Sequence, residues 1–544
     1  MAGVSPFSTW ARLSSCARWG RIGLLLAACC GGSVLAQEPA PEITQEVDPI
    51  DDLRRRIEQL EADNQELRSS IRNEATQRLQ AIEAVEDQGS METFAVEPPV
   101  EGSFLDATNA AQQQQLSTLE KAIKALTDKG SKKTYPNVVV NGALQADTGF
   151  FHQDAASLEE FGRIKNGADI RRARLSAKGS VTEHTNYLMQ VDFGAFGRPT
   201  ITDMWVEQTD VPLFGNVRIG QWKQPFSLEV VSSYRYTTFM ERSLLFVPFT
   251  PFRHLGVGFY DHSEDLSMTW AASVFAAGQD QLGGSIATGG GIGTAERVTF
   301  LPHWECEGKE YLHLGVGHYF SAPNDSRIAF RTIPELFIGQ NATTAAGGTS
   351  GAPVPTGPIN GTPFFAQTAT IIASCYNVLG SELLWVEGPF SLQSEGMLNF
   401  VDQAGGPTAV LPGGYVQAGY FLTGEHRPYD RKAGAIDRVI PKTNLAFCDT
   451  CGNPGIGAWE LAARVSYLNL NNDLLPAYRG GEVTDFTAGI NWFWNPYTKI
   501  VFNYVHSVAN TTPNTYTIAN APNNPAFFGK TGTDLFAMRC QVDF

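Results

Sequence analysis

The last eleven residues, Asp534 to Phe544 (DLFAMRCQVDF), constrain the fold more than any other stretch. Counting back from the end, Phe544, Val542, Cys540, Met538 and Phe536 are apolar, while the intervening Asp543, Gln541, Arg539 and Ala537 are mostly polar. A strand places these two sets on opposite faces. Such a segment suits a half-buried strand of a soluble sheet, and equally a lipid-facing barrel strand that closes on an aromatic residue. The choice between them depends on how often the pattern recurs.

It recurs throughout the C-terminal three quarters of the chain. Tyr187, Met189, Val191 and Phe193 alternate with Asn186, Leu188, Gln190 and Asp192. Trp459, Leu461, Ala463, Val465 and Tyr467 repeat the pattern, as do Ala488, Ile490, Trp492 and Trp494. Aromatic residues fall near strand ends, where a membrane interface would hold them. Short connectors such as Asn495-Pro496 contrast with long Gly/Asn/Thr/Pro stretches at 338–363 and 507–533. Short turns on one side and long loops on the other are the mark of an outer-membrane barrel. The expected fold is an all-β transmembrane antiparallel β-barrel preceded by an α-helical coiled-coil region.

The N-terminal part divides into shorter units. Arg12, Arg18 and Arg21 precede an apolar run from Ile22 to Leu35, with Val34-Leu35-Ala36 as the cleavage motif, so residues 1–36 read as a secretory signal peptide. Leu26-Ala27-Ala28-Cys29 is a competing lipobox. A Pro- and Glu-rich linker covers 37–49, and a helical, periplasmic region covers 50–134. There Leu53, Ile57, Leu60, Asn64, Leu67 and Ile71 make a heptad seam, with Asn64 as a register-setting polar residue. Oligomerisation and a solvated amphipathic helix both fit that seam. The Pro98-Pro99 break separates it from a second run through Leu116, Leu119, Ile123 and Leu126. The barrel is expected over 135–544.

Cleavage after Ala36 leaves five cysteines: Cys306, Cys375, Cys448, Cys451 and Cys540. No second pair or His set accompanies Cys448 and Cys451, so a small loop-closing disulfide is the expectation rather than zinc. The chain is acidic, with 40 Lys+Arg against 56 Asp+Glu, which disfavours nucleic acid as a partner. No G-x-S-x-G or H-E-x-x-H spacing accompanies its nine His, so no enzyme activity is expected, and no cofactor or metal.

One segment carries a family resemblance. Residues from Asp169 read DIRRARLSAKGSVTEHTNYLMQVDFG, followed by TDMWVEQTDVPLFGNVRIGQWKQPFSLEVVSSYRYTTFMERSLL; GYFLTGEHRPYDR at 419–431 and GAWELAARVSYLNLN at 457–471 agree with them. The chain resembles the phosphate-selective porin O and P family from Asn137 to Phe544. The resemblance implies a homotrimeric barrel of about sixteen strands in the outer membrane of a diderm bacterium, with inward-folded segments narrowing a basic anion pathway.

Strand parity locates that pathway in part. Arg172, Arg174, Ser176 and Lys178 share one face of a strand, and Ala173, Leu175 and Ala177 share the other. Charges on the lipid face cost roughly 2–4 kcal/mol each at the bilayer midplane, so the basic stripe must face the lumen. It reads as an anion ladder or as wall-bracing ion pairs, for instance with Asp192. Arg171 has the opposite parity and is expected outside, near the interface. The poorly alternating stretch 223–254 resembles a porin constriction loop, with Lys223, Arg235, Arg242 and Arg253 as candidate anion ligands. If the last strand runs towards the periplasm, 424–457 is a long segment on the short-turn side. Its Arg427, Arg431, Lys432, Arg438 and Lys442 are then candidates for an inward periplasmic segment.

Residues 136–544 nonetheless hold 26 basic and 36 acidic residues, so anion preference must come from local placement. The expected function is passive diffusion of small solutes, anion-preferring and potentially phosphate- or polyphosphate-selective. The alternative is a barrel that mainly anchors a periplasmic coil linking the outer membrane to peptidoglycan.

Overall fold

The computed structural model describes residues 134–194, 199–277, 290–336, 338, 362–447, 455–475, 479–511 and 529–544. The signal, linker and coiled-coil readings, and the Cys448–Cys451 disulfide, lie outside these residues.

Sixteen long strands form the wall. They are β1 (Val139–Gln153), β2 (Gly167–Ser180), β3 (Thr185–Asp192), β4 (Thr200–Val211), β5 (Gly215–Lys223), β6 (Arg253–His262), β7 (Met268–Ala276) and β8 (Gly291–Glu305). The second half comprises β9 (Glu310–Pro323), β10 (Ile371–Glu387), β11 (Phe390–Gln403), β12 (Thr408–Phe421), β13 (Ala458–Asn469), β14 (Glu482–Asn495), β15 (Thr498–Thr511) and β16 (Gly529–Asp543). Each pairs antiparallel with its neighbour in sequence, and β1 pairs with both β2 and β16, which closes the barrel. Closure satisfies every strand edge, the condition for crossing lipid with strands.

The closing strand behaves as its parity demands. Phe544, Val542, Met538 and Phe536 are exposed on the outside, whereas Arg539, Gln541 and Asp543 are buried in the interior. The terminal residue completes the seam: Phe544 N donates to Gly142 O at 3.0 Å, and Gly142 N donates to Phe544 O at 2.9 Å. A side chain at Gly142 would collide with the Phe544 ring, so glycine lets the two backbones meet there.

The outer surface carries an apolar belt that includes Leu144, Leu175, Val206, Val316, Leu398 and Phe502. At the short-turn end, the Trp459 and Trp492 rings stack at 4.9 Å, and both indole N–H groups donate to Ile456 O. Such amphipathic rings suit the headgroup layer.

The 181–184, 212–214, 263–267, 306–309, 388–389 and 496–497 turns all lie at one end, which makes that end periplasmic. The connection between β12 and β13 leaves and returns at the same end but is far longer. Three segments turn into the lumen: 224–252 between β5 and β6, 326–336 with 362–370 between β9 and β10, and 424–447 from the periplasmic side. Thr332 Oγ1 donates to Leu244 O at 3.0 Å, and Ile436 N donates to Ser232 Oγ at 3.1 Å. Both other segments therefore rest on the first.

Candidate functional site: a braced lumen with an arginine cluster

The interior is charged, and most of its arginines meet a carboxylate brought by another strand. Arg218 on β5 donates to Glu207 on β4 at 3.0 and 2.6 Å, with its guanidinium 3.9 Å from the Trp205 ring centroid. Arg297 on β8 forms a two-bond fork with Glu382 on β10, at 2.8 and 2.7 Å, and also donates to Gly434 O of the periplasmic segment. Arg464 on β13 donates to Glu335 at 2.7 Å and to Glu229 at 3.2 Å, one from each of two inward segments. Arg539 on β16 makes a fork with Asp147 on β1 at 2.8 and 2.6 Å. Guanidinium forks fix geometry as well as charge, so these pairs act as struts between wall and inward segments.

The basic stripe on β2 occupies the lumen side. Arg174 donates to Asp192 Oδ2 on β3 at 2.7 Å, the brace envisaged as one reading of the stripe. Arg172 donates to Gln145 Oε1 at 2.6 Å, an uncharged partner. Lys178 lies at the periplasmic end of the same face, in register with Val139 and Leu188.

Arg171 departs from the sequence expectation. The β1–β2 register slips between Gln145↔Arg172 and Ala146↔Ile170, which leaves Arg171 as the extra residue of a bulge. The bulge turns it inward, where it donates to both Glu241 oxygens at 2.9 and 3.1 Å. It is not an interface arginine.

The constriction-loop candidates separate by what they touch. Lys223 Nζ donates to the Val231 and Ser232 carbonyls, and Arg242 to those of Glu229 and Ser232, so both hold the loop's own backbone. Arg253 forks onto Asp203 Oδ2 at 3.0 and 2.8 Å. Arg235 lies 3.9 Å from Asp543 Oδ2.

Of the periplasmic set, Arg427 reaches Glu460 and the Tyr236 carbonyl, and Arg438 reaches Asp543 and lies 5.2 Å from the Tyr236 ring centroid. Arg431 donates to Asp265 O in the β6–β7 turn. The exposed Lys432 and Lys442 remain at the periplasmic mouth, the latter donating to Thr423 O at 3.2 Å.

One place gathers guanidinium groups from separate elements. The Tyr234 ring, on the constriction loop, has the guanidinium carbons of Arg174, Arg172 and Arg235 at 4.4, 4.9 and 5.4 Å from its centroid. Asp192 neutralises Arg174, but Arg172 has no carboxylate within salt-bridge distance among the described residues. The buried Arg172 Nε and Tyr234 Oη have no hydrogen-bond partner among the described residues either. Both atoms can donate, so the arrangement suits an acceptor-rich anion. Sequence reasoning selected Arg172, Arg174 and Arg235 but missed Tyr234, for which it had no charge to flag. It also missed Arg218, Arg297, Arg464 and Arg539, each of which sits at an inward parity position.

The extracellular rim offers a separate, titratable contact. Helix α1 (Ala155–Phe161) is capped by Asp154, which accepts from Ser157 N at 2.6 Å and from Gly532 N on β16 at 2.8 Å. Phe161 stacks on Phe365 of the β9–β10 segment, with ring centroids 4.3 Å apart. Burial, helped by Glu159, pushes the Glu160 carboxyl up from 4.5 to about 7. The docked helix therefore binds more protons than the undocked one between these values. Its docking is fully favourable below the ordinary carboxylate range and weakens as pH rises through about 7. Amide exchange in 155–161, corrected for intrinsic rate, should be faster at pH 8 than at pH 6. In Glu160→Gln the difference should vanish, and equal protection of the wild type at both values would contradict the assignment.

A closed sixteen-stranded antiparallel barrel with an apolar belt outside, a charged interior and an inward loop between its fifth and sixth strands is an outer-membrane porin. The pattern described as phosphate-selective porin O and P matches residues 140–544, and the chain belongs to that family. It is 26% identical over 391 residues to Porin O of Pseudomonas aeruginosa, an alignment covering 67% of this chain and 82% of that one. An uncharacterized protein of Caulobacter vibrioides is 24% identical over 354 residues, 62% of each chain. Among solved structures, the anion-selective porin from Comamonas acidovorans superposes with a TM-score of 0.43 at 11% identity, covering 75% of this chain and 99% of that one.

Proposed function

We propose that the pore prefers anions and that phosphate is among its solutes. The observation that carries this reading is the Tyr234 site, where Arg172, Arg174 and Arg235 converge and two buried donors have no hydrogen-bond partner among the described residues. A guanidinium group can replace part of an anion's hydration shell, and a phosphate oxygen can take two such donors at once. The surrounding struts hold these groups in place before the anion arrives, which lowers the entropic cost of binding.

Conduction requires that such binding be weak enough to reverse. Inorganic phosphate added to a chloride-carrying channel should therefore reduce the chloride current reversibly and in a saturable way. A chloride current indifferent to phosphate would leave a general pore and remove phosphate from the reading.

A further inference from the structure

We propose that Glu241 is a built-in counter-anion of this pore: its carboxylate occupies wall guanidinium groups that a permeating anion would otherwise engage, and so sets how tightly anions are held. The inference rests on the anion-preferring reading and adds a regulator to it.

Glu241 differs in position from the carboxylates of the strand-to-strand pairs, and unlike Glu229 and Glu335, which meet Arg464 on β13, it meets the arginines of β2 and β16. Glu207, Glu382, Asp147 and Asp203 are on wall strands, and their pairs brace one strand against another. Glu241 is on the constriction loop, and it reaches across to the wall. Its Oε1 accepts from Arg171 Nε at 2.9 Å and from Arg539 Nη2 at 2.6 Å, and its Oε2 accepts from Arg171 Nη2 at 3.1 Å. Arg172, whose Nε has no partner among the described residues, follows directly on Arg171. A single carboxylate is thus inserted among the arginines of β2 and β16, beside the Tyr234 site.

A carboxylate and a phosphate present the same chemistry to a guanidinium group, two acceptor oxygens at fork spacing. An anion entering this region therefore competes with a tethered acceptor that is always present. The competition shortens the anion's stay, which a conducting pore needs.

The loop backbone is held by other groups. Arg539 Nη1 donates to Met240 O, Arg464 Nη2 donates to Glu241 O at 3.0 Å, and Ser243 N donates to Glu229 Oε2 at 3.0 Å. Removing the charge at Glu241 therefore leaves the loop's main anchors in place. Arg539 also keeps its fork to Asp147.

The test compares full-length wild type, Glu241→Gln and Glu241→Asp in planar bilayers, reading block of chloride current by inorganic phosphate. Removing one negative charge a few ångströms from the path should tighten the block roughly tenfold in the Gln variant. The maximal current should fall as the anion leaves more slowly. The Asp variant keeps the charge and should stay closer to wild type than to Gln. Glu241→Ala serves in the same way if the Gln variant does not insert.

Block unchanged or weaker in the neutral variants would overturn the inference, as would an Asp variant indistinguishable from Gln. Wild-type current that phosphate fails to block would instead remove the phosphate reading on which the inference rests, and that outcome is read before any variant is made.

Discussion

Replacing Arg539 with methionine is expected to destabilise the barrel by about 3–5 kcal/mol, the usual cost of leaving buried charges without their partner. Arg539 is only 2% exposed and forks onto Asp147 while also donating to Glu241 and to the Met240 carbonyl. Methionine fills much of the same volume, so a packing defect contributes little. What remains is a buried Asp147 carboxylate without its guanidinium partner, and a constriction loop that has lost its Met240 and Glu241 contacts to the closing strand while Arg235 keeps its own. The midpoint of guanidinium chloride unfolding of the refolded barrel should drop markedly. A loss below about 1 kcal/mol would mean that water reaches this pair freely and that it behaves like an exposed one.

Replacing Arg172 with glutamine should act on conduction more than on stability. Its partners among the described residues are the uncharged Gln145 side chain and the Tyr234 ring, so its removal strands no carboxylate. A charge-assisted hydrogen bond contributes about 1.5–3 kcal/mol, which corresponds to a loss of roughly 10–100-fold in phosphate affinity. Current block by phosphate reads this directly. Arg253→Gln provides the contrast, because Arg253 is committed to Asp203. It should lower the unfolding midpoint while changing phosphate block much less. Equal loss of block in both variants would mean that the arginines act through mean charge and not through a site.

The wall is legible in the sequence because period-two alternation is a local property. Each strand announces its lipid face without reference to its neighbours, and the closing strand from Asp534 to Phe544 carries Arg539 on its other face in plain view. Parity reveals a ladder only within a single strand, and among the described strands β2 alone has several basic residues in step. Beyond β2, the structure distributes the lumen arginines one to a strand: Arg218 on β5, Arg253 on β6, Arg297 on β8, Arg464 on β13 and Arg539 on β16. Their meeting depends on barrel register, which joins Asp147 to Arg539 across nearly the whole barrel sequence.

Arg171 shows the second limit. Parity fails at a bulge, and nothing in DIRRARLS marks where the extra residue falls. The Asp192 brace was legible because it needed only the adjacent strand. The inward loop was legible as a break in alternation, but Tyr234 and Glu241 became part of a site only when the loop was folded against β2 and β16.

The most direct test of the account is the reversal potential of the full-length wild-type protein in a planar bilayer under a potassium chloride gradient. Placement of arginines around Tyr234, in a barrel of net acidic composition, predicts a sign that reports chloride as the more permeant ion. A sign reporting potassium as the more permeant ion would contradict it, because the acidic composition would then outweigh the local cluster.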